Sequence, residues 1–236
     1  MKLLLFDVDQ TLVSTGGAGV RALDRAFQKL FSIDNAMAGI VPHGKTDPGI
    51  IREIFNSLPK ESVSVGIPTS FTPILEAYLE FLRDEIDRTA AYIVLPGISR
   101  LLGFLSGHSE VLLGLATGNV EPGARIKLER GNLNQYFLFG GFGSDFENRA
   151  ELVRHGVELG SKLALSRWGR RFKPDEIFVI GDTPLDIAAG RESGLLTVGV
   201  ATGKYSVAEL AAAGATASVS DLEQGRDQFL RTTRIV

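Results

Sequence analysis

Asp7 and Asp9 stand two residues apart at the end of an apolar run, Leu3-Leu4-Leu5-Phe6, and are followed by Gln10 and Thr11. In a strand, residues i and i+2 project from the same face, so both carboxylates meet on one side where the chain leaves the sheet. Two carboxylates held together repel, and one takes up a proton unless a cation lies between them. The pair therefore reads as a metal site or as a nucleophile beside a general acid. Two later clusters repeat the arrangement of a polar group after an apolar run. Thr117-Gly118-Asn119 follows the run from Glu110 to Ala116, and Asp182 with Asp186 follows Ile177-Phe178-Val179-Ile180-Gly181.

If the runs are parallel strands, their carboxyl ends face one side and the three clusters converge on one crevice. The residue types there suit phosphoryl chemistry. Asp7, Asp182 and Asp186 offer hard oxygens to Mg²⁺, which offsets their repulsion and screens an incoming phosphate. Thr117 and the backbone N–H groups of Gly118 and Asn119 stand at a helix start, where phosphate oxygens bind. A carboxylate beside Mg²⁺ can attack phosphorus. Asp9 can protonate the leaving alcohol and later take a proton from water.

The elements that must position these groups can be read from periodicity. The run ending at Phe6 suits a strand buried on both faces. Helical spacing of apolar residues follows over Val20 to Phe31, from Asp47 as N-cap through Pro48 to Phe55, and over Phe71 to Thr89. No strand-like alternation interrupts the stretch from Gly16 to Ala91. Gly17-x-Gly19-x-x-Ala22 matches a loose dinucleotide fingerprint, but it lies too far beyond the strand to form that motif's tight turn. It reads as a hinge. From Tyr92, strands alternate with helices: a helix after Pro96-Gly97 to Ser106, the strand to Ala116, a helix from Glu121 to Arg130, a strand from Phe137 to Gly141, a helix from Arg149 to Ser166, the strand Ile177 to Gly181, a strand from Leu196 to Val200 and a helix from Val207 to Ala213. This is an α/β chain, a doubly wound, Rossmann-like parallel sheet over residues 1–15 and 92–236 with an all-α domain inserted at 16–91.

Composition narrows the function. The 236 residues are 44% apolar, enough to bury well over half of the unfolded surface. Twenty-five basic and 28 acidic residues give a net charge of −3, and no basic run suits nucleic acid. The absence of cysteine excludes disulfides, a thiolate nucleophile and the usual zinc clusters, leaving oxygen-ligated metals, Mg²⁺ first. The short apolar run behind Lys2 carries two acids and lacks a cleavage site, so neither a signal peptide nor a membrane span is expected, and the location is read as cytoplasmic.

In order and combination these motifs resemble the haloacid dehalogenase-like superfamily, specifically its phosphatases with a helical cap inserted after the first strand, such as the phosphoglycolate phosphatases. Asp7-x-Asp9-x-Thr11 matches the first motif, Thr117 the second and Gly181-Asp182-x-x-x-Asp186 the fourth. The resemblance implies that Asp7 is the nucleophile, Asp9 the acid/base, and that Asp7, the Asp9 carbonyl and Asp182 hold the metal. Gln10 stands where glycine or a small polar residue is commoner, and its side chain need not enter the site. The third motif's lysine is replaced. Lys173-Pro174 precedes a strand and lies on the wrong edge, whereas Arg149 stands where the cation belongs; Lys127 is the second candidate, although its place inside a helix fits a solvated face.

The loop His43-Gly44-Lys45-Thr46-Asp47 resembles those that dip into the site of capped relatives and choose the substrate, with Lys45 as the contact; the simpler reading is that Thr46 and Asp47 cap the next helix. His43, His108 and His155 lack metal-ligand spacing and read as structural or surface residues. The expected function is Mg²⁺-dependent hydrolysis of a small phosphate monoester, phosphoglycolate-like by resemblance, in a monomer or homodimer. The competing readings are a sugar phosphomutase on the same core and a non-catalytic phosphate-sensing or protein-binding module.

Overall fold

The computed structural model describes residues 1–58 and 68–235. Its centre is β1 (Lys2–Phe6), in which Leu3, Leu4, Leu5 and Phe6 are fully buried. A strand buried on both faces needs neighbours on both edges. β4 (Val111–Thr117) and β6 (Ile177–Gly181) flank it in parallel register, Phe6 lying opposite Leu115 and Ile180. The sheet has six strands in the order β5-β4-β1-β6-β7-β8, with β5 (Gly140–Phe142), β7 (Leu196–Val200) and β8 (Ala217–Val219), all pairs parallel. Reversal of strand order on either side of β1 opens the crevice of a doubly wound sheet beside that strand's carboxyl end.

Helices cover both faces. α4 (Ile98–Ser106), α5 (Glu121–Glu129) and α9 (Arg226–Thr233) contribute Leu101, Leu128 and Phe229 to a cluster with Leu4 and Phe6, while α6 (Arg149–Trp168) and α7 (Pro184–Glu192) contribute Leu152 and Ala189 to one with Leu3 and Leu5. Alternate β1 side chains thus feed opposite layers. At roughly 1.5–3 kcal/mol for each large apolar side chain buried, this run is the chief anchor of the sheet. α8 (Val207–Ala212) closes the edge beside β7.

The third apolar cluster is separate. α1 (Ala18–Phe31), α2 (Asp47–Ser57) and α3 (Thr72–Arg88) pack Phe27, Ile51, Ile54, Tyr78 and Leu82 together, joined by Val120, the residue before α5, and by Ile126 within it. The stretch expected to be all-α is all-α in its described residues. Its two ends are tied by a ribbon absent from the periodicity: β2 (Val13–Ser14) and β3 (Ile93–Val94) pair antiparallel, Val13 opposite Val94. Two residues per strand are too few to show alternation.

Two boundaries differ from the sequence reading. The strand expected over Phe137 to Gly141 starts only at Gly140. Asn134–Tyr136 form a 3₁₀ turn and Phe137 is drawn inward against Phe6, ring centroids 6.0 Å apart, before the strand begins. Glycine is required there because a Cβ on Gly141 would lie 1.8 Å from the Leu152 carbonyl, so α6 rests directly on the strand backbone. β8 and α9 extend the core beyond the last helix read from sequence, a three-residue Ala-Ser-Val edge strand carrying too little pattern to detect.

Candidate active site

Asp7 follows β1 directly, its N–H bonded to the Ile180 carbonyl at 2.8 Å, and Asp182 follows β6. With Asp186 from the first turn of α7 they form a buried group whose carboxylate oxygens lie within 4.8 Å of one another. The sequence reading placed these three acids together, and the geometry agrees. Burial, then the neighbouring aspartates, raise Asp182 to about 9; burial raises Asp7 to about 7 against the pull of Arg149. Such crowding is tolerated where a cation joins the site.

The three acids are not equivalent. Asp186 has both oxygens engaged. Oδ1 accepts from Arg149, and Oδ2 accepts from the Thr183 N–H at 3.0 Å and the Thr183 hydroxyl at 2.6 Å. It anchors Arg149 and so keeps fewer lone pairs for a metal than the sequence suggested. Among the described residues, Asp182 accepts only a long bond from Thr11 Oγ1 at 3.5 Å. Thr11, the last residue of the first motif, is fully buried, and its hydroxyl is directed at Asp182.

Arg149 begins α6, where Asn148 caps the helix by accepting from the Ala150 and Glu151 N–H groups. Its guanidinium reaches Asp7 Oδ1 at 3.2 Å, holds Asp186 and donates to the Gly44 carbonyl at 3.0 Å. Burial works against its charge, but Asp186 and Asp7 outweigh that cost and hold it firmly protonated.

The Asp9 side chain is 40% exposed. Its Oδ2 accepts from Asn119 Nδ2 at 2.8 Å and Lys127 Nζ at 2.7 Å. Lys127 also donates to Asn119 Oδ1 at 2.6 Å, and Asn119 Nδ2 donates to Thr117 Oγ1 at 2.8 Å. The Thr117 hydroxyl faces Asp7 as well. The solvated-face reading of Lys127 is therefore wrong: the residue is 5% exposed. Burial tends to discharge it, yet Asp9 and Asp47 keep its ammonium above the ordinary value. Both candidate cations occupy the crevice, one on Asp7 and the other on Asp9. The signal was present in the spacing, since Lys127 lies four residues after Gly123 and three after Ala124, both buried on the same face of α5.

The helical block forms the opposite wall. The loop before α2 lies against the carboxyl edge, with the Asp47 N–H donating to the Gly118 carbonyl at 2.8 Å. A Cβ on Gly118 would lie 2.1 Å from the Lys45 carbonyl, so this glycine permits the approach of the loop. The absence of a side chain at Gly118 serves that contact. Thr46 is the N-cap, accepting from the Gly49 N–H at 3.2 Å; Asp47, expected as the cap, is the first helical residue. It is buried, and its Oδ2 accepts from the Val120 N–H at 2.8 Å, leaving its carboxyl raised to about 6 by burial. Asp47 was missed as a site residue because its capping role explained it locally. Lys45 lines the crevice with Nζ 2.5 Å from Glu53.

His43 lines the mouth, while His108 bonds the Phe104 carbonyl and His155 packs on Phe146. Lys173 and Pro174 lead into β6 at the opposite edge. No described helix is long and apolar enough to cross a membrane.

Comparison with known proteins bears on this arrangement. A family model described as HAD-hydrolase-like matches residues 151–224. The "Probable phosphatase IndB" of Dickeya dadantii is 29% identical over 219 residues, 89% of this chain and 86% of that protein. Among solved structures, a hydrolase from Pseudomonas syringae matches with TM-score 0.70 at 22% identity, covering 98% of this chain and 99% of that one. CbbY from Rhodobacter sphaeroides in complex with phosphate matches with TM-score 0.70 at 17% identity, covering 95% and 96%. Likenesses at such identity establish the fold.

Proposed function

We propose that the chain is a haloacid dehalogenase-like hydrolase and, from that premise, a Mg²⁺-dependent phosphatase acting on a small phosphate monoester through an aspartyl-phosphate intermediate. The observation that carries this reading is the pairing at the sheet edge: Asp7 beside Arg149, and Asp9 beside Lys127, on opposite sides of one crevice. The helical block is read as the cap over it.

Asp7 Oδ attacks phosphorus as the bond from phosphorus to the ester oxygen breaks, giving the aspartyl phosphate. The leaving oxygen takes the proton of Asp9, which Asn119 and Lys127 hold toward the crevice. Asp9, now a carboxylate, removes a proton from water; the water oxygen bonds to phosphorus, the bond to Asp7 breaks, and inorganic phosphate leaves. Arg149 supports the charge on the transferring group. Thr117 fixes the distance between the two halves through Asn119 and Asp7.

The donor set fits a hard divalent cation. The Asp7 and Asp182 carboxylates and the Asp9 carbonyl are oxygen donors, and Asp182 keeps lone pairs that no strong hydrogen bond occupies. Mg²⁺ held there supplies charge neutralisation for an anionic nucleophile and an anionic substrate. Asp186 is assigned to Arg149.

The test is phosphate release from p-nitrophenyl phosphate with and without Mg²⁺, paired with mass spectrometry after trapping with a phosphate mimic. Metal-dependent release with modification at Asp7 is expected. Release that survives chelation, or modification elsewhere, would overturn the mechanism. A phosphomutase would instead return the phosphate to a second hydroxyl of the same sugar, which glucose 1-phosphate turnover reads directly.

A further inference from the structure

The inner wall of the crevice carries information about the leaving group that the phosphate machinery does not use. Val20, Leu23, Met37, Pro42, Ile50 and Tyr78, all from the helical block, line it. Tyr78 is 1% exposed, and among the described residues its hydroxyl has no hydrogen-bond partner; burial and the charges of Asp47 and Asp9 keep it protonated. Gly19 lets this hydroxyl and Lys127 come close to α1, since a Cβ there would lie 3.7 Å from Tyr78 Oη and 3.6 Å from Lys127 Nζ. A buried tyrosine hydroxyl ordinarily finds a partner. Here it stands in a cavity wall, where a ligand can supply one.

The cations lining the crevice are all engaged among the described residues. Arg149 is held by Asp7 and Asp186, Lys127 by Asp9 and Lys45 by Glu53. Arg149 serves the transferring phosphate. A carboxylate or second phosphate on the leaving group would have to displace Glu53 or Asp9, or lie against Leu23, Ile50 and Met37 without a counter-ion, which is costly. The crevice holds a cavity of about 160 Å³, close to the roughly 150 Å³ of an apolar cavity that admits a benzene ring. That is more room than a two-carbon acid requires.

Resting on the phosphatase reading above, we propose that the leaving group is a neutral alcohol with a ring-sized, largely apolar body and one polar atom that pairs with the Tyr78 hydroxyl. Small acids such as phosphoglycolate and compounds with a second phosphate are disfavoured by the same wall.

Three phosphate esters test this: benzyl phosphate, 3-hydroxymethylbenzyl phosphate and phosphoglycolate. The wild-type protein should turn over the two aromatic esters with kcat/KM at least about tenfold above phosphoglycolate, the scale on which pocket contacts discriminate substrates. Tyr78→Phe keeps the ring and should lower kcat/KM for the hydroxylated ester roughly fivefold more than for benzyl phosphate, as loss of one hydrogen bond does. Glu53→Gln, which frees Lys45, should raise phosphoglycolate relative to benzyl phosphate by roughly threefold or more. Wild-type preference for phosphoglycolate, or equal losses on both aromatic esters in Tyr78→Phe, would overturn the assignment while leaving the phosphatase reading intact. Absence of metal-dependent phosphate release from any ester, p-nitrophenyl phosphate included, would remove both.

Discussion

The two walls of the crevice are built on opposite principles. The sheet edge concentrates charge: Asp7, Asp182 and Asp186 lie together with Arg149 set among them, each carboxylate fixed by a strand end or a first helical turn. The helical wall is mostly apolar, and its lysine is neutralised by its own helix through Glu53. Charge crowding serves bond making and breaking, because preorganised charges in a dry site act most strongly where charge develops. An apolar wall excludes water and chooses by shape. The difference teaches that one chain can assign reaction and selection to different folding units, since a strand-end acid is fixed by the sheet whatever covers it.

The sharpest break of this division is Asp7→Asn. It removes the nucleophilic charge at constant size, and turnover should fall by about 10⁴-fold or more on every ester, the scale of losing a covalent nucleophile. A loss confined to some substrates would mean that the sheet edge also selects.

The two cations divide the next effect. Arg149→Ala should lower kcat by roughly 10²- to 10³-fold, comparable to losing one preorganised contact, with Arg149→Lys recovering part. Lys127→Ala should cost a similar factor by releasing Asp9, and its steady-state pH profile should broaden or shift where that of Arg149→Ala does not. Wild-type kcat in either alanine variant would remove that cation from the mechanism.

Metal linkage gives a smaller effect on stability. Asp182 is raised to about 9 and Asp7 to about 7 by burial and mutual repulsion. A carboxyl whose folded value lies above its unfolded one binds more protons in the fold, so stability is greatest at low pH and is lost as pH rises from near 3.8 toward the folded values. The metal-free protein should therefore lose Tm between about pH 4 and 9 from this pair. Mg²⁺ should restore Tm most strongly near pH 8, and Asp182→Asn should flatten the pH dependence and abolish the Mg²⁺ shift. Thermal scans across pH with and without Mg²⁺ decide it.

The smallest effect concerns Gln10, which sits between the walls with φ +56 and bonds Ser14 Oγ at 3.1 Å. Left-handed backbone costs an L-residue roughly 1–2 kcal/mol, and glycine's greater unfolded freedom returns roughly 0.5–1 of it. Gln10→Gly should stabilise by about 0.5 kcal/mol in urea denaturation, the difference of those two effects. This backbone conformation is also the physical reason that glycine suits the position.

Much of the core was legible in the sequence because its signals are local. A short continuous apolar run bounded by turn residues suits a strand buried on both faces, and the residue after it lies at the sheet edge; Asp7, Thr117 and Asp182 were legible on that ground. The helical insertion was legible for the same reason, its apolar stripe repeating over several turns. What the chain by itself could not determine was which side chains turn toward one another across those elements. Lys127 looked solvated because lysine usually is, until α1 and α3 covered it; Asp47 looked like a cap until the Val120 N–H took its carboxylate. Asp47 meets Val120 73 residues away in sequence and Lys127 meets Asp9 118 residues away, and only packing of the helical block onto the sheet edge brings such groups within the few ångströms over which charges and hydrogen bonds act.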